Sequence, residues 1–179
     1  MVVTGPPTSF SILERRRIEL VDPSIPGSVQ PYHAVVDAPL KKAEAHLKRC
    51  RDAGRILASK AVGATISKFE GQGLRVVGCG LLLSSARPLP DLAAILAAHP
   101  LIHTAEGEFF REILVYSAEK HRLPLTKVKE RELFERVQTQ FRISASEIQR
   151  RLSELGRSLG PPWRQDEKYA ALAGLLALS

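Results

Sequence analysis

Apolar residues spaced three or four positions apart predict helices along much of the chain. Between Pro39 and about Ala58 they recur among many charges, which indicates an amphipathic helix that begins near the proline. Ser144 and Glu147 have the spacing of a capping box, so a helix is predicted from there toward Leu155. Further helices are predicted at residues 91–98, 107–121, 130–138 and 166–178, and the last is apolar on nearly all sides.

Shorter apolar runs, several of them rich in β-branched residues, predict strands. Residues 61–69 and 74–84 are two such runs, and Glu70–Gly73 between them suits a tight hairpin turn. Three more short strands are predicted at residues 16–22, 101–105 and 123–128. Three prolines and a glycine within residues 23–31 predict a turn-rich loop after the first strand.

The order of these elements predicts an α/β fold. Strands alternate with helices in the second half of the chain, which indicates a partly parallel sheet covered by helices. A chain of 179 residues is most simply one domain. We therefore expect one domain over residues 16–179, preceded by a flexible N-terminal segment at residues 1–15 that is rich in Pro, Gly and Ser.

The composition is that of an ordinary globular protein, with 44% apolar and 25% charged residues. Nothing approaches the apolar run of ~20 residues that spans a membrane. The first basic cluster, Arg15–Arg17, follows the N-terminal apolar residues, which is the reverse of a secretory signal. We expect a cytoplasmic protein. Cys50 and Cys79 have no metal-ligand spacing; one disulfide is formally possible, but free thiols are the expectation.

A net charge of +7 and a pI near 9.7 bear on the partner. Such an excess favours a polyanion through counterion release, so we expect nucleic acid, although any single basic cluster can equally be a solvated helix face. The residues expected to contact a phosphate backbone are Lys127, Lys129, Arg131 and Arg136. Because glutamates alternate with them, a solvated cluster of paired charges remains the alternative.

Three isolated acids lie at the edges of apolar elements. Asp22 ends the first predicted strand, Glu106 follows residues 101–105, and Asp166 opens the last predicted helix. A carboxylate in such a place costs free energy unless it is compensated, and a divalent cation is a common compensator. Each acid also has a structural alternative, as a turn former at Asp22, a partner of the helix dipole at Glu106 and a helix cap at Asp166.

Several motifs, in their order along the chain, resemble the RNase H-like superfamily and, within it, the RuvC-type Holliday-junction resolvases. VDPSIPG at residues 21–27 resembles the end of the family's first strand. FEGQGLRVVGCGLLLSSARPLPDLAAIL at residues 69–96 resembles its hairpin and the helix that follows. LIHTAEGEFF at residues 101–110 resembles the strand that delivers the second catalytic acid. Two further segments resemble the later elements of the family: AEKHRLPLTKVKERELFERV at residues 118–137 and WRQDEKYAALAGLLAL at residues 163–178.

The resemblance implies a mixed β-sheet flanked by helices, with the helix at residues 39–58 as an insertion after the first strand. It implies Mg2+-dependent or Mn2+-dependent cleavage of structured or branched DNA by a homodimer, with two ions ~3.5–4 Å apart at the scissile phosphate. Asp22, Glu106 and Asp166 would be the catalytic acids. Glu108 and Glu167 would be further metal ligands, since Mg2+ prefers oxygen.

The chain departs from the family at Tyr169, where the second acid of the final pair is expected. Glu167 could replace that acid only with a shifted geometry. This departure favours an alternative function, an RNase H-like domain that binds nucleic acid or assembles without cleaving. A metabolite-binding α/β protein is a third possibility, which the absence of a Gly-rich phosphate loop disfavours. His103 is interpreted as a packed imidazole, and Trp163 as an anchor of the last helix or a platform for a base.

Overall fold

The computed structural model describes residues 1–84 and 88–178, and it shows a mixed α/β protein. Its strands are β1 (Val2–Thr4), β2 (Ser11–Glu14), β3 (Cys79–Leu83) and β4 (Leu125–Lys129). Its helices are α1 (Leu40–Glu70), α2 (Leu92–Leu96), α3 (His99–Lys120), α4 (Leu133–Phe141), α5 (Ala145–Leu159) and α6 (Gln165–Leu176). Two short 3-10 helices lie at His33–Val35 and Glu130–Glu132.

The described residues form two compact units. The first comprises residues 1–17, 77–84 and 123–178, and the second comprises residues 18–76 and 88–122. The assignment of residues 16–179 to one domain stays a prediction, and residue 179 lies outside the described part.

The first unit contains two small sheets. β1 and β2 pair antiparallel, whereas β3 and β4 pair parallel, with Cys79 opposite Leu125 and Leu83 opposite Lys129. Their shared core is built mainly from α4, α5 and α6, together with Phe10 from the turn between β1 and β2. A parallel pair at β3 and β4 agrees with the partly parallel sheet that the alternation of elements predicts.

α6 lies very close to β3 because small residues meet there. A Cβ atom added to Gly80 would stand 1.9 Å from the carbonyl oxygen of Ala173. On the other side of α6, a Cβ at Gly174 would stand 2.7 Å from Cγ2 of Val3 in β1. The last helix is therefore buried between the two sheets of its unit, as its almost entirely apolar sequence predicts.

Residues 1–15, predicted to be flexible, form the β1–β2 hairpin instead. Two arginines hold it in place. The Arg15 guanidinium donates to the carbonyls of residues 159–162 at the end of α5, and the Arg151 guanidinium donates to the carbonyls of Ser9 and Phe10. Phe10 is 1% exposed. The Pro-Gly-Ser composition of this segment reflects its tight turn rather than a lack of structure.

The second unit is helical. Its core is formed by buried residues of α1, α2 and α3 and of the loop that carries the first 3-10 helix, among them Tyr32, Leu47 and Phe109. α1 and α3 pack closely at Gly54, where an added Cβ would stand 2.6 Å from Cδ1 of Ile113. α3 carries the predicted acids Glu106 and Glu108, so its packing against α1 and the loop positions the candidate site.

Three strand predictions are wrong. Residues 61–69 continue α1, residues 101–105 belong to α3, and residues 16–22 form no strand. In α1 the hydroxyl of Thr65 donates to the carbonyl of Ala61, a bond that lets a β-branched residue fit the helix. The hairpin expected at residues 61–84 is thereby reduced to β3. Residues 85–87, within the motif that resembles the family's hairpin region, lie outside the described residues.

The helices expected at residues 91–98, 130–138, 144–155 and 166–178 are confirmed to within a few residues, and β4 matches the strand expected at residues 123–128. Two helices are longer than predicted, since α1 continues to Glu70 and α3 begins at His99. Within residues 1–84 and 88–178, none of the helices combines the length and apolar character that crossing a bilayer requires.

Candidate functional site

Glu106 lies in the second turn of α3 and binds the start of the first 3-10 helix. Its Oε1 accepts hydrogen bonds from the backbone N–H groups of Tyr32, at 2.9 Å, and His33, at 3.1 Å. The same oxygen is 3.2 Å from Nδ1 of His33. Its Oε2 is buried and accepts no hydrogen bond from the described residues. One oxygen of this carboxylate therefore fixes the loop, while the other has no compensating partner within the described part of the chain.

One histidine contacts this carboxylate, and two more lie beside that histidine. His99 and His103 stand one turn apart near the start of α3, with their Nε2 atoms 2.9 Å apart. The ring of His33 lies 4.8 Å from that of His103 and 5.4 Å from that of His99, between centroids. One ring nitrogen from each of the three lies within 4.8 Å of the others. Among the described residues, this is the group of three or more side chains arranged to hold a metal ion.

Asp22 forms a local turn. Its Oδ1 accepts hydrogen bonds from the backbone N–H of Ser24, at 2.9 Å, and from the Ser24 hydroxyl, at 2.7 Å. These two bonds lower the pKa of the Asp22 carboxyl below its ordinary value. The turn-forming role considered for Asp22 is present in the structure, and the carboxylate is at the surface rather than in the core.

Glu108 faces away from Glu106 on α3, two positions along the helix. Its Oε1 is 3.0 Å from an Nη1 nitrogen of Arg111, one turn further on. Such a pair contributes little to stability on a helix surface. Glu108, which is predicted to be a metal ligand, thus forms a simple ion pair with Arg111 in the structure.

Asp166 and Glu167 belong to the first turn of α6. Oε2 of Glu167 accepts a hydrogen bond of 2.7 Å from the backbone N–H of Arg164, which begins the helix. Both acids stand where negative charge favours the helix dipole. Tyr169, at the position of the expected acid, packs edge-to-face on Phe134 with the ring centroids 6.0 Å apart. In this segment, Glu167 caps the helix and Tyr169 packs against the core.

Of the five predicted acids, the structure places Asp22, Glu106 and Glu108 in the second unit and Asp166 and Glu167 in the first. Their grouping around one pair of ions stays a prediction. Within the second unit, the side chain that contacts Glu106 is that of His33.

The four basic residues expected at the phosphate backbone lie together in the first unit, on β4, the second 3-10 helix and α4. The Arg136 guanidinium donates to the Lys127 carbonyl at 2.9 Å. Lys129 and Arg131 both lie within 4 Å of Glu132, at 3.9 and 3.4 Å. The cluster is therefore partly neutralised, as the alternation with glutamates indicates, and Lys127 is its exposed member on β4.

Sequence reasoning missed the histidine group. The interpretation of His103 as a packed imidazole is wrong, because its side chain is exposed and faces His99. The available signal was the spacing of four residues between His99 and His103, which places two imidazoles on one face of a helix. The false strand at residues 101–105 hid it, because residues four apart in a strand do not approach one another.

The remaining candidates have structural roles. Cys50 and Cys79 are free thiols, and burial raises the pKa of each. Nε1 of Trp163 donates to the carbonyl of Leu152 at 2.8 Å, and the indole covers Gly156 on α5. Trp163 thereby anchors the segment before α6 to the core.

The chain matches no protein-family model, no curated protein and no solved structure.

Proposed function

We propose that the protein is a divalent-metal-dependent endonuclease of the RNase H-like type that cleaves structured or branched DNA. The proposal includes a cytoplasmic location and a homodimer, since symmetric cleavage of two strands is usually the work of a two-fold dimer. It rests on the order of the RuvC-like motifs, on the excess of positive charge and on the state of Glu106.

The Glu106 carboxylate carries the structural part of the argument. A buried carboxylate oxygen without a donor is costly, and a cation is one of the few groups that can compensate it. Where the structure describes the chain, Oε2 of Glu106 is such an oxygen. It lies in the acid for which the sequence motif LIHTAEGEFF implies a role in metal binding.

The donor set around Glu106 fits a divalent cation. Mg2+ takes carboxylate oxygens, and Mn2+ accepts both oxygen and imidazole ligands. Glu106 would hold the ion in the second unit, where Asp22 would contribute its outer oxygen. Such an ion supplies an activated water and a stabilised leaving oxygen during phosphodiester hydrolysis. The carboxylates of this chain would supply the negative charge that attracts the ion.

The basic residues on β4 and α4 support the choice of nucleic acid as substrate. Lys127, Lys129, Arg131 and Arg136 occupy one contiguous part of the first unit. Contacts of this kind position a protein on a phosphate backbone without reading sequence. A substrate recognised by its shape, such as a branched junction, matches this type of surface.

The test is cleavage of a labelled four-way DNA junction with Mg2+ or Mn2+ by the wild-type protein and by Asp22→Asn and Glu106→Gln. We expect each substitution to lower the cleavage rate by on the order of 100-fold or more, because it removes a group that stabilises charge during the reaction. Binding of the junction should persist in both variants.

The matched control is Glu119→Gln, which removes the same charge from an exposed position further along α3. Its cleavage rate should equal that of the wild type. Equal rates for the wild type, Asp22→Asn and Glu106→Gln would remove both acids from the mechanism.

The capping role of Glu167 and the core packing of Tyr169 favour a second candidate, an RNase H-like module that binds nucleic acid without cleaving it. Both side chains are used in the structure of α6 and its surroundings. Under this alternative, the wild-type protein binds the four-way junction and leaves it intact with either metal ion.

A further inference from the structure

We propose that His33, His99 and His103 form a binding site for a transition-metal ion of the Zn2+ class, distinct in chemistry from the Mg2+ site of a nuclease. Three imidazoles favour Zn2+, Co2+ or Ni2+, whereas Mg2+ prefers oxygen. The proposal stands on the histidine geometry and does not depend on nuclease activity.

The spacing of the ring nitrogens suits such an ion. Tetrahedral zinc with Zn–N bonds of about 2.0–2.1 Å requires ligand nitrogens roughly 3.3–3.4 Å apart. The Nε2 atoms of His99 and His103 are 2.9 Å apart, and all three ring nitrogens lie within 4.8 Å of one another. Metal binding would require the side chains to rotate until the three nitrogens reach that separation. The two histidines on α3 are exposed, so they have room to move.

Glu106 orients the third histidine. Its Oε1 is held by the backbone N–H groups of Tyr32 and His33, and it lies 3.2 Å from Nδ1 of His33. When Nδ1 donates its hydrogen to this oxygen, the lone pair of Nε2 is free for a metal. Histidine ligands in metal sites commonly donate their second N–H to a carboxylate in this way, which fixes the tautomer and raises the basicity of the ligand.

The charge of Glu106 also makes the place suitable for a cation. The start of α3 carries the positive end of its helix dipole, which by itself repels a metal ion. A carboxylate one turn after His103 offsets that field, and its Oε2 has no hydrogen-bond partner among the described residues. Glu106 thus supplies the negative charge that three neutral imidazoles lack.

The site has three protein ligands and an exposed side. Zinc sites of this composition keep a fourth position for water or an added ligand, unlike the closed four-ligand sites that are purely structural. The ion would also join the first 3-10 helix to α3, because His33 lies on one and His99 and His103 lie on the other.

The test is calorimetric titration of the metal-free full chain with Zn2+, in the absence of DNA and Mg2+. We expect saturation at one Zn2+ per chain. Glu106→Gln should weaken binding by about 10–100-fold, the usual effect of losing a supporting carboxylate. His99→Gln and His103→Gln, at exposed positions, should weaken it more than Glu106→Gln does. Titration with Co2+ should give the intense visible absorption of a tetrahedral complex, and His103→Gln should abolish it.

The control is His121→Gln, a histidine of the same unit whose Nε2 lies 2.8 Å from the Ser59 carbonyl, away from the cluster. It should bind Zn2+ as the wild type does. Circular dichroism confirms that each variant is folded. Zinc affinity unchanged in His99→Gln and His103→Gln, or the absence of saturable binding by the folded wild type, would overturn the site. Because no DNA is present, these results are independent of the cleavage assay.

Discussion

At the scale of residues, Asp22 and Glu106 show how differently two acids with similar sequence contexts are used. Oδ1 of Asp22 is satisfied by Ser24 within a surface turn. Glu106 instead reaches from α3 to the loop, and its buried Oε2 has no donor among residues 1–84 and 88–178. The sequence predicted both as acids at the edge of apolar elements. It could not distinguish them, because the partner of Glu106 lies 73 residues away at His33.

We expect the contribution of the Asp22 turn to stability to depend on pH. Hydrogen bonds from Ser24 lower the pKa of the Asp22 carboxyl below its ordinary value. The turn's contribution to stability is therefore present above the pKa in the unfolded chain, about 3.9, and is lost as the pH falls through the lower folded-state pKa. Titration of the carboxyl carbon by NMR should show a low pKa in the wild type. Ser24→Ala should raise that pKa.

The control for this titration is Ser153→Ala, which removes a serine hydroxyl from the exposed surface of α5. An Asp22 pKa that is the same in the wild type and Ser24→Ala would mean that the two hydrogen bonds do not control the titration.

At the scale of elements, helices could be predicted where the periodic pattern of apolar residues extends over many positions and capping residues mark the ends. Ser144 caps α5 as expected, with its hydroxyl 3.2 Å from the Glu147 backbone nitrogen. Short apolar runs could not be assigned to a strand or to a helix, because a run of five residues fits a strand or one side of a buried helix. Residues 101–105 show this, since Ile102, Ala105 and Phe109 are buried at helical spacing in α3. Because of that error, the histidines that could bind a metal ion were not predicted to form a group.

The close contact between β3 and α6 gives a second element-scale expectation. Gly80→Ala would place a Cβ 1.9 Å from the Ala173 carbonyl oxygen, so the strand or helix must shift. We expect the free energy of unfolding to fall by at least about 2 kcal/mol, as for other overpacked cores. Chemical denaturation of the two proteins measures it.

Gly73→Asn is the matched control for Gly80→Ala. Gly73 is exposed with open space around it, and its φ of +75° is one that Asn tolerates. The free energy of unfolding of Gly73→Asn should stay within about 1 kcal/mol of that of the wild type. An equal and small effect of both substitutions would show that β3 and α6 are less tightly packed than the structure indicates.

At the scale of the whole molecule, the net charge of +7 is the property most directly tied to the proposed DNA partner. Affinity for DNA then depends on salt in proportion to the number of phosphates that basic residues contact. Lys127→Ala should reduce the slope of log affinity against log salt by about 0.9 if this residue makes one phosphate contact. Binding of a labelled four-way junction at several salt concentrations measures it.

Lys120→Ala provides the comparison, since it removes the same charge from an exposed position in the last turn of α3. Its slope should equal that of the wild type. Identical slopes for all three proteins would place the phosphate contacts elsewhere.

The hairpin held by Arg15 and Arg151 has a consequence for the order of events during synthesis. β1 packs against α6 in the core of the first unit, yet some 160 residues separate them along the chain. At ~5–20 residues per second, the ribosome delivers α6 on the order of ten seconds after β1. An isolated two-stranded hairpin is only marginally stable in water. The core that encloses Phe10 is thus incomplete until α4, α5 and α6 have been synthesised, and the first unit can close only after them.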